Sequence, residues 1–270
     1  MPLAICATPI GNLDDVTLRV LAELREADLV LAEDTRHTRI LLRRHGIEAR
    51  LLSYHEHNEA TRIGELLPRL SGGERIALVT DAGLPAVSDP GARLVRAALD
   101  AGVPITVLPG PSAVETALVT SGLVGERYSF VGFLPRRAAE LAALWEELGT
   151  WRWPVVAFES PRRLPAALRS LAAASPDRDV VVCRELTKQF EEVVRGTAAE
   201  LAERFAAPPR GEITLVLGAA SGGGQDEAAV AVAARAVADL IEAGTPRRVA
   251  TEVVARLTGM PRNDLYRRSL

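Results

Sequence analysis

Lysine is almost absent from this chain. Of its 32 basic residues 31 are arginine and one is Lys188. Arginine abundance needs no explanation beyond genomic base composition. The lone lysine, however, marks a place where a planar guanidinium does not substitute for a compact ammonium. Aromatics are also scarce, at 4%, which argues against a platform that binds nucleic acid by stacking bases. The two cysteines, Cys6 and Cys183, sit in runs of small or β-branched apolar residues, where a thiol acts as a small hydrophobe. A disulfide framework and a zinc site are therefore not expected. His55 and His57, beside Glu56 and Glu59, have no third metal ligand, so no metal is expected there either.

No apolar stretch approaches the roughly 18 residues needed to cross a bilayer. The opening Met-Pro-Leu-Ala-Ile-Cys-Ala-Thr-Pro carries no basic region of the kind that begins a secretion signal. The expected setting is the cytoplasm, with no membrane partner. A formal net charge of −3 excludes a whole-molecule electrostatic grip on nucleic acid, so any such contact must come from local patches.

What is present is an ordinary globular composition, 48% hydrophobic and 25% charged over 270 residues. That length suggests two α/β domains and a small appendage. Short continuous apolar runs recur at Leu3 to Ala7, Leu29 to Ala32, Ile76 to Thr80, Ile105 to Leu108, Val155 to Phe158, Val180 to Cys183 and Ile213 to Leu217. Such runs read as strands buried on both faces. Helical patterns lie between them, at Val16 to Glu26, Arg93 to Ala101, Leu141 to Leu148, Leu164 to Ala173 and Thr197 to Phe205. The expected organisation is an N-terminal α/β domain over residues 1–115 and a second over 116–219. A linker follows over 220–227, with Ser221 to Asp226 flexible by composition. Residues 228–270 are expected to be helical: Ala228 to Ala243, Arg247 to Leu257, and a basic helix from Arg262 to Ser269 after Thr258-Gly259-Met260-Pro261. This resembles a helix-turn-helix unit.

Four loops follow expected strands, where ligands collect in open α/β folds. Thr8-Pro9-Ile10-Gly11-Asn12-Leu13 is either a plain strand-to-helix turn or a close approach of backbone to ligand. The stretch from Thr80 through Asp81, Ala82, Gly83 and Leu84 to Gly91 is longer than a reversal needs and carries two carboxylates. In Leu108-Pro109-Gly110-Pro111-Ser112-Ala113 a helix opens on a serine, so its free amides meet either the serine hydroxyl or a ligand carboxylate. Glu33-Asp34-Thr35-Arg36-His37-Thr38-Arg39, leading to Arg43 and Arg44, reads as a salt-bridged helix start or as a phosphate-binding block.

These loops, together with Gly132-Phe-Leu-Pro135, Arg184-Glu-Leu-Thr-Lys188 and Arg210-Gly-Glu212, closely resemble the tetrapyrrole methylase superfamily, and within it the branch that acts on ribosomal RNA. No segment suffices alone; their joint order is specific and spans nearly the whole chain. The resemblance implies a two-domain tetrapyrrole-methylase-like α/β fold, a class III methyltransferase, with a small C-terminal helix-turn-helix appendage. It implies S-adenosylmethionine bound between the domains, contacted by Ile10, Gly11, Asp81, Ala82, Gly83, Leu84, Ser112, Ala113, Phe158, Leu186 and Gly211. It further implies 2′-O-methylation of cytidine 1402 in 16S ribosomal RNA of the small subunit, by a homodimer. Other members often carry threonine where this chain has Leu84, so at that position the expectation rests on backbone atoms.

Within that resemblance Lys188 is expected at the cleft, either accepting the ribose proton with a pKa depressed by burial and neighbouring arginines, or orienting ribose and phosphate. Its structural alternative is a pair with Glu185, Glu191 or Glu192 on a helix surface. Asp34 and His37 are the next catalytic candidates, ordering the sugar. Arg36, Arg39, Arg43, Arg44, Arg136 and Arg137 are expected to hold RNA phosphates. A related enzyme methylating a corrinoid or porphyrin precursor, and a non-enzymatic ribosome-binding protein, are the competing readings.

Overall fold

The computed structural model describes residues 2–220, 227–258, 260, 262, 265 and 266. Five strands form a parallel sheet: β1 (Leu3–Cys6), β2 (Leu29–Ala32), β3 (Leu51–Ser53), β4 (Ile76–Val79) and β5 (Ile105–Leu108), in the order β3-β2-β4-β1-β5. The three interior strands bury every residue, as continuous apolar runs require. β5 is an edge and only partly covered, with Val107 exposed. The expectation of burial on both faces fails there because no strand flanks its outer side.

Alternate residues of each interior strand face opposite layers. Leu3, Ile5, Leu29, Leu31, Ile76 and Leu78 pack with α3 (Glu59–Ser71) and α4 (Ala92–Asp100) through Leu66, Leu70, Leu94 and Ala98. Ala4, Cys6, Val30, Ala32, Ala77 and Val79 pack with α1 (Leu18–Glu26) and α2 (Thr35–Arg44) through Val20, Leu24 and Leu42. Period-two alternation thus feeds two cores, each fully buried aliphatic side chain contributing about 1.5–3 kcal/mol.

The chain then passes through α5 (Ala113–Ser121) into a second sheet made of β6 (Ser129–Phe133), β7 (Val155–Glu159), β8 (Asp179–Arg184), β9 (Glu192–Thr197) and β10 (Ile213–Leu217). Its order is β6-β7-β10-β8-β9, with β6 and β7 parallel and the remaining pairs antiparallel. One face carries α6 (Ala138–Leu148), α7 (Leu164–Ala174) and α8 (Ala198–Arg204) over Val155, Ala157, Val180, Val182 and Leu215. The other face carries α5, whose Val114, Ala117 and Leu118 cover Val156, Val181, Cys183 and Val216. Ile10, from the first sheet's loop, joins this last cluster, so the two halves share one apolar seam.

Helices α9 (Glu227–Glu242) and α10 (Arg247–Thr258) form a small core of their own from Ala233, Val237, Ala250 and Val254, with Leu265. Gly244, at φ +88, turns the chain between them. Of the expected linker over 220–227, residues 221–226 lie outside the described residues and Glu227 already begins α9; Gly259, Pro261 and most of the expected final helix, including Arg267 and Arg268, also lie outside them.

Candidate active site between the two sheets

In a parallel sheet every strand ends at the same edge, so the loops after β1, β4 and β5 converge. Thr8 and Gly83 stitch two of them together: each backbone N–H donates to the other's carbonyl, at 2.8 and 3.0 Å. Gly83 adopts φ +78, and the Thr8 hydroxyl donates to the Thr80 carbonyl at 2.9 Å. The 80–91 loop runs on through Ala86 and Ser88, both left-handed at φ 71 and 65, conformations that cost about 1 kcal/mol or more unless the surroundings enforce them. Within the loop the Ala86 amide donates to the Pro90 carbonyl at 3.2 Å, and the loop's end is held by buried Glu59, whose Oε1 accepts from the Tyr54 hydroxyl at 2.9 Å and from the Gly91 amide at 3.2 Å.

The second sheet faces these loops with the end of β7, the start of β10 and the turn after β8. Between the halves lies a cleft of about 700 Å³. Of the expected donor contacts, Ile10, Asp81, Ala82, Gly83, Leu84, Ser112, Ala113, Phe158 and Leu186 line it. Gly11 instead lines an adjoining hollow of about 300 Å³, together with Lys188 and His37; Ile10, Asp81, Ala82 and Glu212 belong to both walls. Gly211 stands just outside, next to Glu212, at φ +96, with the Glu185 side chain filling the place of a Cβ.

The cleft is chemically divided. One wall is aromatic: Phe130 and Phe133 meet Phe158 edge-on at centroid distances of 4.9 and 5.4 Å, an arrangement ring quadrupoles favour. Three of the chain's five phenylalanines are gathered here. Only Phe158 among them is expected from the sequence, although the scarcity of aromatics elsewhere is a usable signal. A second group of lining residues is acidic: Glu33, Asp81 and Asp89. Burial, reinforced by Glu33 and Asp81, pushes the Asp89 carboxyl up to about 6, although the neighbouring Thr80 hydroxyl pulls it down. Burial also raises Asp81, although the Asp34 amide and His37 pull it down. The Thr80 hydroxyl donates to Glu33 Oε2 at 2.7 Å. Glu33 and Asp89 lie within the motifs quoted above but are not among the expected site residues, because neither burial nor proximity can be read from their spacing.

Ser112 begins α5 without a side-chain cap. The serine-capping alternative therefore does not hold. Burial raises the Glu115 carboxyl, and hydrogen bonds from Ser112 and from Tyr128, the latter at 2.6 Å, outweigh it.

Lys188 occupies a tight turn between β8 and β9 in which Glu185 and Thr187 are left-handed, at φ 53 and 64. A β-branched residue there is strained. The Asn12 amide donates to Thr187 Oγ1 at 3.0 Å and the Thr187 amide donates to Glu191. Lys188 Nζ lies 3.1 Å from Glu185 Oε1 and 2.9 Å from Glu212 Oε2. Partial burial lowers its pKa, but hydrogen bonds to Glu212 and Glu185 raise it further, for a net upward shift. The expected depression is therefore overturned: the neighbours are carboxylates, and Arg184 turns away to Glu192 and the Arg210 carbonyl. The pair with Glu185 does form, on this turn rather than on a helix.

Asp34 caps α2, accepting from the Arg36 amide at 2.8 Å, and pairs with the Arg36 guanidinium at 2.5 Å. That guanidinium holds its carboxyl well below the usual range, and Asp34 lines neither hollow. His37 Nδ1 lies 3.3 Å from Asp81 Oδ2. Arg39 and Arg43 are exposed on α2, and Arg44 is bidentate to Asp14 at 3.0 and 2.8 Å. Arg136 and Arg137 are exposed before α6, Arg137 pairing with Glu140.

A cleft shared between a parallel and a mixed sheet, floored by strand-end loops and, among the described residues, lacking a glycine-rich dinucleotide turn, defines a class. The chain belongs to the tetrapyrrole (corrin/porphyrin) methylases, whose family model matches residues 2–202. Within that class it is 43% identical, over 98% of its own length and 85% of the relative, to the protein of Micromonospora olivasterospora named ribosomal RNA small subunit methyltransferase I. It is 45% identical to the Thermotoga maritima protein of the same name, over 80% of this chain and 97% of that one. Among solved structures, uroporphyrin-III C-methyltransferase from Thermus thermophilus, complexed with S-adenosylhomocysteine, superposes with a TM-score of 0.58 at 19% identity, covering 81% of this chain and 97% of that one. At that identity the likeness is one of fold.

Proposed function

We propose that this chain is an S-adenosylmethionine-dependent methyltransferase that modifies the ribose 2′-hydroxyl of cytidine 1402 in 16S ribosomal RNA, in the small subunit, acting in the cytoplasm as a homodimer. The observation that carries the reading is the junction at Asp81. A donor-sized cleft there opens into a smaller hollow walled by Lys188 and His37, and the arginine-bearing α2 starts at the same rim.

The donor suits the larger cleft. Ile10, Leu84, Phe158 and Leu186 offer apolar surface to its adenosine. The backbone of Asp81, Ala82 and Gly83 supplies polar atoms, and the uncapped first amides of α5 at Ser112 and Ala113 are free to meet a carboxylate. When bound, S-adenosylmethionine supplies an electrophilic methyl group. The protein's own task is to bring a weakly nucleophilic ribose oxygen in line and keep it there. Lys188, held cationic by its two carboxylates, orients the sugar-phosphate, and Arg36, Arg39, Arg43, Arg44, Arg136 and Arg137 supply local positive charge that the whole molecule lacks.

The deciding experiment supplies the purified protein with radiolabelled S-adenosylmethionine and small ribosomal subunits that lack the mark. The expected result is one labelled ribose, at a single cytidine. Failure to transfer, or transfer to a tetrapyrrole precursor instead, overturns the reading.

A further inference from the structure

The smaller hollow has features that the donor does not need. At about 300 Å³ it sits at the low end of small-molecule sites and has room for one nucleoside. One side is aliphatic, from Leu13, Ile40 and Leu41; the other presents His37 and Lys188. Ile40 is exposed on α2, an apolar side chain left at the rim of a polar entrance. Asp81 stands where the hollow meets the larger cleft, and its two carboxylate oxygens are separately engaged. Oδ1 accepts from the Asp34 amide at 3.1 Å, and Oδ2 lies 3.3 Å from His37 Nδ1. An Nδ1–H directed at that carboxylate would leave Nε2 as the nitrogen facing the acceptor. Lys188 cannot serve as the base, because Glu185 and Glu212 stabilise its charged form.

We infer that the smaller hollow receives the acceptor nucleoside, turned out of its stack, and that His37, oriented by Asp81, takes the proton from its 2′-hydroxyl. The assignment rests on the function proposed above and specifies which group performs the proton transfer. The hydroxyl O–H bond breaks with its proton passing to His37 Nε2. The oxygen's electron pair forms the new O–CH₃ bond, and the S–CH₃ bond breaks with its pair retained by sulfur. Asp81 is a positioning residue that balances the imidazolium as it forms, and Lys188 holds the sugar-phosphate. Turning a nucleotide out costs a few kcal/mol, least where it is already unpaired, and is required wherever the reacting atom cannot otherwise reach a pocket.

Two variants and one spectrum test this. His37→Asn should lower kcat by about a hundredfold or more, the scale of general-base catalysis, with donor affinity and the KM for small subunits within about twofold. Leu13→Trp, which fills the hollow from a residue outside the donor cleft, should retain donor binding and lose transfer. Nitrogen-15 spectra of the four histidines, with His37 assigned by its absence in His37→Asn, should place the neutral imidazole's proton on Nδ1, and Asp81→Asn should abolish that preference. Undiminished transfer by either variant, or a His37 tautomer indifferent to Asp81, overturns this assignment alone. A wild-type protein inactive on unmethylated subunits overturns it together with the proposed function.

Discussion

Gly11 and Lys188 approach so closely that a Cβ on the glycine would lie 2.5 Å from Lys188 Cγ, 2.7 Å from Thr187 Oγ1 and 2.8 Å from the Leu186 carbonyl. The first loop of one sheet and a strained turn of the other thus touch backbone to side chain, and glycine is the residue that permits it. Gly11→Ala is expected to push the 185–188 turn away from Asn12 and displace Lys188. Transfer should fall at least tenfold, while the far-ultraviolet circular dichroism stays as in the wild type. An unchanged rate would show that the turn can yield without consequence.

Lys188 is expected to act as a fixed cation. Lys188→Met should reduce transfer by roughly a hundredfold or more while donor binding, measured by calorimetry, is retained. Lys188→Arg should not restore it, because the wider guanidinium cannot occupy the space beside Gly11 and meet both Glu185 and Glu212 as the ammonium does.

Arg36 and Arg39 lie on the exposed side of α2. Replacing both with alanine should weaken small-subunit binding and reduce the slope of log affinity against log salt by about two, one for each phosphate no longer neutralised. Donor affinity should be unaffected. A full salt slope in the double variant would remove α2 from the RNA track.

Asp89 provides a pH signature. Its carboxyl titrates at about 6 in the fold, against an ordinary 3.8, chiefly because burial disfavours the charge and Glu33 adds to this. A raised carboxyl pKa means the folded state binds the proton more tightly than the unfolded chain. Relative to a neutral side chain its contribution is nil below about pH 4, turns unfavourable as pH rises through about 6, and is constant above. Asp89→Asn should accordingly raise Tm at neutral pH, with the gain vanishing near pH 4. A gain independent of pH would mean the charge is not its source.

The interior of this molecule was legible because interior strands announce themselves. β1, β2, β4, β7, β8 and β10 coincide with continuous apolar runs to within a residue at each end. What escaped were edges. β3 has three residues, β6 is half-exposed and carries Gly132 at φ 70, and β9 interleaves Glu192 and Arg195 with valines. A strand with one open side has no need of uninterrupted hydrophobicity, so its sequence resembles a loop. α3 escaped for a different reason: Pro68 lies inside it, and a proline reads as a stop signal.

The site divides along similar lines. Loops that follow strands could be ranked from their turn residues, and most of the side chains chosen from them line one of the two hollows. The charge state of Lys188 could not be foreseen, because it depends on Glu212, 24 residues away in sequence and brought to the turn by the pairing of β10 with β8. The partnership of His37 with Asp81 arises likewise, from the adjacency of β2 and β4 in a sheet whose strand order departs from the chain order.

The bond from Asn12 to Thr187 adds a non-covalent tie between halves already joined through α5. Two plates fastened at both places behave less like a jaw than like a frame. Widening it would break the Asn12 hydrogen bond and uncover Ile10 from the shared apolar seam, so traffic of small molecules is expected through the open face, with loop movements rather than a hinge admitting and releasing them.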